Sequence, residues 1–303
     1  MAKIVGIGAN VYDTLYTVEK YPAEDTKTCA ASVKECGGGP TATGLVAASK
    51  LGAECAFIGN YTDDSGGMFL KEDFIKYGVD TSCMALKEGY QTFRSVLWLS
   101  KETTSRTCVY YRGNVPPTEI DAVSAKAIAD AEILMVDGND LKAAIEGAKI
   151  AKANGTKVLY DAGGLYEGIE NLLPYADILI PSEEFSLGHT KANTAEEAAK
   201  ILFDKYSPEV VVITQGKHGG LLYDGEKIER YPAPTVKVVD SNGAGDVFHG
   251  AFAYAVTKKM NYSDACLFSS AVSTLKCTKF GAREGVPTYE ETIKFLKERG
   301  YHV

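Results

Sequence analysis

The chain is short of positive charge. Its 303 residues hold 32 lysines and arginines against 40 aspartates and glutamates, a formal net charge of -8. That balance argues against a nucleic-acid or membrane-surface role, since both need a basic face. It leaves phosphate ligands open, because a local helix end binds them even in an acidic protein. No apolar run approaches a membrane span. The start, Met1-Ala2-Lys3-Ile4-Val5-Gly6, runs into a strand without a signal-peptide core, and a cytoplasmic protein is expected. No C-x-x-C pair occurs. The seven cysteines are an odd number and read as free thiols of a reducing compartment. The four histidines, His189, His218, His249 and His302, show no metal spacing, and His249 reads as a core or supporting residue. Neither G-x-x-x-x-G-K-[ST] nor G-x-S-x-G is present, which excludes a P-loop and a nucleophile elbow. Gly6-Ile7-Gly8 lacks the third glycine of a dinucleotide fingerprint. Repeats and low-complexity linkers are also missing.

What is present is a long alternation of helix and strand patterns. A buried strand over 3–8 opens it. Pro40 suits the first position of a helix that Gly52 ends. A strand over 53–59 and a helix over 65–77 follow. Further helical patterns cover 118–130, 139–153, 194–206, 244–258, 262–279 and 288–299, and strands cover 132–137, 156–160, 177–181, 209–214 and 235–239. Thr194 with Glu197, and Thr288 with Glu291, have capping-box spacing. The pattern implies one α/β domain over 1–303, with a doubly wound, mostly parallel sheet flanked by helices. Asp224-Gly225 marks a hairpin within 217–231. Residues 14–36 and 90–113 break the pattern. In the second of these, strand-like runs over 92–99 and 104–112 flank a turn. Together the two segments predict a small separate sheet, a candidate lid over a cleft. Trp98, Tyr110 and Tyr111 are its expected exposed aromatics, suited to a partner subunit.

Four strand ends carry polar or glycine-rich turns: Asp13, then Gly37-Gly38-Gly39, then Thr214-x-Gly216-x-x-Gly219, then Asp240-Ser241-Asn242-Gly243-Ala244-Gly245-Asp246. Ligands of open α/β sheets gather at that edge. In the last of these, Val236-Lys237-Val238-Val239 predicts a buried strand, and Val247, Phe248, Ala251 and Phe252 give a helical stripe. Gly243-Ala244-Gly245 leaves backbone N–H groups bare at the helix start, where anions bind. Asp246 either caps that helix or accepts a proton from a hydroxyl whose oxygen attacks a bound phosphoryl group.

The four motifs stand in order across essentially the whole chain. Gly59-Asn60-Tyr61-Thr62-Asp63-Asp64-x-x-Gly67 and Phe280-Gly281-Ala282-Arg283 accompany them. The set resembles the PfkB, or ribokinase-like, family of carbohydrate and nucleoside kinases. The resemblance implies a ribokinase-like fold with a small β-sheet lid, and transfer of the ATP γ-phosphoryl group to a sugar hydroxyl with Mg²⁺. It makes Asp246 the base and Gly243, Ala244 and Gly245 the anion hole. Asp13, Gly38 and Gly39 would bind the sugar. Thr214, Gly216 and Gly219 would line the ATP site, with Lys276 and Cys277 near the adenine. Asp240 and the 278–283 loop correspond to a site for a monovalent cation, K⁺ in some members. A homodimer joined through the lids is expected. Two departures stand out. Thr43 occupies the place of a sugar-binding asparagine. Where members carry Asn-x-x-Glu, associated with Mg²⁺, this chain has Ser182-Glu183-Glu184-Phe185, which leaves Glu184 as the metal candidate. The Gly38-Gly39-Pro40-x-Ala42-Thr43 form and Val136-Asp137-Gly138 resemble ketose kinases of the family more than ribokinase itself. Arg94 and Arg112 on the lid are candidates for an anionic sugar substituent. A nucleoside kinase, and a regulator that binds without catalysis, are the alternative readings.

Overall fold

The computed structural model describes residues 3–103 and 105–301. Met1 and Ala2, Thr104 at the expected start of a lid strand, and His302 lie outside them. The strands are β1 (Ile4–Ile7), β2 (Val11–Val18), β3 (Ser32–Gly38), β4 (Cys55–Thr62), β5 (Val79–Asp80), β6 (Met84–Lys87), β7 (Arg94–Ser100), β8 (Arg106–Tyr111), β9 (Ile133–Val136), β10 (Lys157–Ala162), β11 (Ile178–Pro181), β12 (Val210–Thr214), β13 (Gly220–Tyr223) and β14 (Ile228–Tyr231). The helices are α1 (Pro40–Lys50), α2 (Ser65–Lys76), α3 (Ala122–Asp130), α4 (Leu141–Asn154), α5 (Glu183–Thr190), α6 (Ala195–Tyr206), α7 (Ala244–Thr257), α8 (Tyr262–Lys276) and α9 (Tyr289–Lys297).

Ten strands form the main sheet, in the order β14-β13-β12-β11-β10-β9-β1-β4-β5, with β6 paired to β4. From β12 through β4 neighbouring strands are parallel, and β13 and β14 close one edge as an antiparallel hairpin. The central strands are continuous apolar runs such as Ile133-Leu134-Met135-Val136, buried on both faces, as parallel strands covered by helices must be. Two apolar clusters lie on the two sides, one built on α1, α7 and α8, the other on α4 and α6. The second sheet, β3-β2-β7-β8, is the lid expected from the sequence. Capping follows the sequence at Thr288, where both arms of the box form. At Thr194 the hydroxyl accepts from Glu197 N, but Glu197 reaches back to Asn193 N instead.

Four expectations are corrected. Residues 235–239 form no strand. Pro232 and Pro234 remove two backbone donors beside the sheet edge, and Val238 and Val239 are 59 % and 57 % exposed. A helix, α5, follows β11 where none was expected. Ser182 caps it by accepting from Phe185 N. Trp98 is half-buried and lines a groove with Tyr16 and Pro22, whereas Tyr110 and Tyr111 are exposed as expected. Asp13 sits inside β2 of the lid and not in the turn after β1.

Candidate active site

The first turn of α7 is the centre of the site. Gly243 is its N-cap, with φ +73°, and no side chain caps it. A side chain at Gly243 would meet the methyl of Ala282 at 2.7 Å as well as strain that φ. Ala244 N donates to Ser241 O at 3.2 Å. Among the described residues the N–H groups of Gly243 and Gly245 have no protein acceptor. Asp246 therefore does not serve as the cap. It stands in the first turn, beside bare donors at the positive end of a fourteen-residue helix. Burial pushes its pKa up. His249, Arg106 and Lys276 pull it down, and Asp137 raises it further.

A 510 Å³ cavity lies on one side of this turn. Thr214, Gly216, Gly219, Val236, Val238 and Cys277 are among its walls, and Ala244 and Gly245 form its end. The unpaired 235–239 segment is thus a wall of this cavity. Val236 and the exposed Val238 face this ligand-sized space, and Lys217 adds a cation to its lining. Cys277 lines this cavity. Lys276 is not in the cavity: it is fully buried, and its Nζ donates to Asp240 O at 2.8 Å and to Asn242 O. Burial lowers its pKa and Asp240 raises it.

Asp13 lies on the other side. Its Oδ1 accepts the Ser95 hydroxyl at 2.6 Å, and it is 7 % exposed. Burial raises its pKa to about 6, against the Ser95 hydrogen bond and the charges of Arg283 and Arg106. Gly38 packs directly on it, since a Cβ there would collide with Asp13 Oδ2. Arg283 holds this corner from beneath. Its guanidinium, 2 % exposed, donates to Asp73 Oδ2 and Gly38 O at 2.7 Å and to Asn10 Oδ1 at 3.0 Å. Thr43 is buried under α7, and its hydroxyl has no partner. It stands 3.6 Å from where a Gly243 Cβ would be.

Of the two lid arginines singled out, neither faces the anion-hole turn. Arg94 is paired with Asp64 at 2.7 Å. Arg112 lies over the rings of Phe93, Tyr110 and Tyr166, within 5.9 Å of each. The lid residue that reaches the turn is Arg106, whose Nη1 donates to Asn242 Oδ1 at 2.6 Å. Strand alternation alone did not reveal that reach. Glu184 is exposed, and its neighbour Glu183 accepts from Gln215 at 2.6 Å, beside the 214–219 loop. Phe185, at the place of the missing glutamate, is buried and stacks on His189.

Two more carboxylates join the site. Asp137 ends β9, and its Oδ2 accepts from Ala9 N and Thr41 N at 2.9 and 3.1 Å. Asp161 lies in the last turn of β10, 4 % exposed, with Oδ2 at 3.2 Å from His249 Nδ1. The rule that picked out Asp13, a carboxylate at the C-terminal edge of a parallel sheet, applies to both.

Comparison with known proteins agrees with this geometry. The pfkB family carbohydrate kinase profile matches residues 1–289. The chain belongs to the pfkB family of carbohydrate kinases. It is 30% identical over 267 residues to a ribokinase of Haemophilus influenzae, covering 86% of this chain and 87% of that one. It is 28% identical over 289 residues to a 5-dehydro-2-deoxygluconokinase of Clostridium botulinum, covering 86% and 84%. Among solved structures, an Agrobacterium tumefaciens protein assigned provisionally as a ribokinase superposes with a TM-score of 0.93, at 26% identity and 99% coverage of both chains. Arabidopsis thaliana ribokinase, solved with ribose and ATP, gives 0.86 at 24% identity, covering 98% of this chain and 99% of that one, and supports the fold. The protein is thus a sugar kinase with a ribokinase-like fold. No helix among the described residues is long and apolar enough to cross a membrane.

Proposed function

We propose that this kinase transfers the γ-phosphoryl group of ATP to a hydroxyl of a small carbohydrate, a ketose such as fructose or a derivative, or ribose. The observation that carries the reading is Asp246 in the uncapped first turn of α7, beside bare N–H donors at the end of the 510 Å³ cavity. Asp246 accepts the proton of the sugar hydroxyl as its oxygen bonds to the γ-phosphorus and the bond to the β–γ bridging oxygen breaks, leaving ADP. Such a transfer asks the protein for alignment and charge stabilisation more than covalent chemistry. The N–H groups of Gly243, Ala244 and Gly245 lie where negative charge spreads over the transferred group. The cavity takes ATP, with Thr214, Gly216 and Gly219 along the phosphates and Cys277 near the base. Asp13, Gly38 and Gly39 hold the sugar, with Thr43 behind them.

Magnesium fits as an ion that arrives on the nucleotide. Among the described residues no cluster of three or more histidine, cysteine or carboxylate groups forms a metal cage, and Mg²⁺ commonly keeps water and phosphate oxygens as its ligands. Glu183, which accepts from Gln215 of the 214–219 loop, and Glu184 next to it stand at the start of α5 as the ion's candidate carboxylates, and when bound the ion would neutralise charge on the transferred group. The lids join two copies into a homodimer. Supporting this, β8 is exposed along its whole length as an edge strand, with Val109, Tyr110 and Tyr111 outward.

A sugar bearing a carboxylate is a second reading, favoured by the reach of Arg106 to the anion-hole turn. Measuring ADP release over ribose, fructose, sugar acids and nucleosides tests both. Release with fructose or ribose alone supports the first, and release confined to sugar acids supports the second. Preference for adenosine would replace both with a nucleoside kinase, and no sugar-dependent release would leave a binding protein.

A further inference from the structure

The turn before the anion hole is built around one ammonium group. Lys276 is the last residue of α8, at its negative end. Its Nζ donates to Asp240 O at 2.8 Å and to Asn242 O, and lies 4.0 Å from Asp240 Oδ2. The side chain is 0 % exposed. Asp240 fixes the same turn from its carboxylate, accepting from Asn242 N at 2.8 Å and from Gly281 N at 2.9 Å. The carbonyl of Cys277, next to Lys276, accepts from Val239 N and Asp240 N. Gly243 follows Asn242 directly, so the positive charge stands immediately behind the candidate anion hole.

Two backbone carbonyls and a carboxylate converging on one point are the ligands that strip a monovalent cation of its water. The family resemblance led to the expectation of such an ion at Asp240 and the 278–283 loop. The residues present do not fit it, because both carbonyls already accept from Lys276. Burying a lysine is expensive unless its charge is matched. Here the match is two carbonyl oxygens in direct contact, with the Asp240 carboxylate 4.0 Å away.

We propose that Lys276 is a built-in substitute for a monovalent cation, ordering the 240–242 turn and placing fixed positive charge behind the anion hole, so that turnover does not require K⁺. The inference rests on the kinase reading only for its activity readout. Lys276 is a positioning residue in this account, since it touches neither sugar nor nucleotide.

The test is a titration of KCl against choline chloride at constant ionic strength. It is run on the wild type, Lys276→Ala and Lys276→Met, following both ADP release and thermal unfolding. Wild-type turnover and melting temperature are expected to be the same in both salts. Lys276→Ala is expected to lose about 10²-fold in turnover in choline, the effect of disordering an anion hole. K⁺ or NH₄⁺ should restore most of that loss and raise the melting temperature. Lys276→Met fills the space without charge and is expected to stay low in every salt. Several-fold activation of the wild type by K⁺, or a Lys276→Ala protein that no cation rescues, overturns the proposal. If neither variant folds, the wild-type salt comparison still decides. If no sugar drives ADP release, the kinase reading fails, while the salt dependence of wild-type unfolding continues to test the cation assignment.

Discussion

His249 Nδ1 lies 2.7 Å from the carbonyl oxygen of Gly245, one turn back along α7, and its Nε2 lies 3.0 Å from Ile180 O on β11. Both ring nitrogens thus face backbone carbonyl oxygens. Asp161 on β10 stands 3.2 Å from Nδ1. The ring therefore links the first turn of α7 to β11, with Asp161 of β10 alongside.

Replacing that ring with an amide tests what the imidazole adds to the turn. His249→Gln is expected to lower kcat at least tenfold, on the order of the effect of a misplaced donor, with a much smaller change in KM for ATP. The groups facing Asp246 are His249, Arg106 and Lys276, which lower its pKa, and Asp137, which raises it. Losing His249 removes one of the groups that hold the Asp246 pKa down. A base works only above its pKa, so the acid limb of kcat moves to higher pH. A pH profile that drops in height without moving would leave His249 as packing alone.

Asp246 itself carries the sharpest expectation. Asp246→Asn keeps the shape and removes the proton acceptor, and kcat is expected to fall by about 10²–10⁴-fold. Sugar binding should weaken far less, since Asp13 and the glycine corner remain. Calorimetry of sugar binding beside steady-state kinetics checks both halves. Near-normal turnover in this variant removes the base assignment.

Much of this site is legible in the sequence, and the illegible parts have physical causes. The lid and the parallel sheet follow from periodicity and turn chemistry, and the four glycine and aspartate motifs stand in order, although only two of them end a strand. The 236–239 run misleads because β-branched residues suit any extended backbone. Pro232 and Pro234 are the local signal against a strand, and the exposed Val238 makes sense only once the cavity is seen. Lys276 reads as an adenine neighbour by position, yet its side chain turns inward to carbonyls supplied 34 and 36 residues away. Arg106 reaches Asn242 across 136 residues. Such contacts depend on the third dimension, and no spacing rule supplies them.

The corner under the proposed sugar site rests on one buried ion pair, Arg283 with Asp73. Arg283→Met leaves Asp73 buried without its partner, which costs about 3–5 kcal/mol. Urea unfolding should report that loss, and Asp73→Asn in the same chain should recover part of it. Gly38 O and Asn10 Oδ1 also lose a donor, so sugar KM is expected to rise in any folded Arg283 variant. Unfolding energies that simply add in the double variant would mean that the pair is not coupled.

At the proposed sugar site, Asp13 is expected to set the pH dependence of binding. Its folded pKa is about 6, raised chiefly by burial, above an ordinary value of 3.8. The sign follows directly. The protonated form is favoured in the folded chain, so the stabilisation it brings is complete below pH 4 or so and is lost as pH rises through about 6. Sugar binding runs the other way. A carboxylate accepts from two hydroxyls, whereas the acid must donate one of its oxygens' hydrogens. Sugar affinity without nucleotide is thus expected to increase as pH rises from about 5 to about 8. Near pH 6 binding should also expel protons, seen as a buffer-dependent enthalpy in calorimetry. Asp13→Asn is expected to abolish both the pH limb and the proton release while weakening binding throughout. An affinity that stays flat across this range in the wild type would take Asp13 out of the sugar contact and leave it as the buried partner of Ser95.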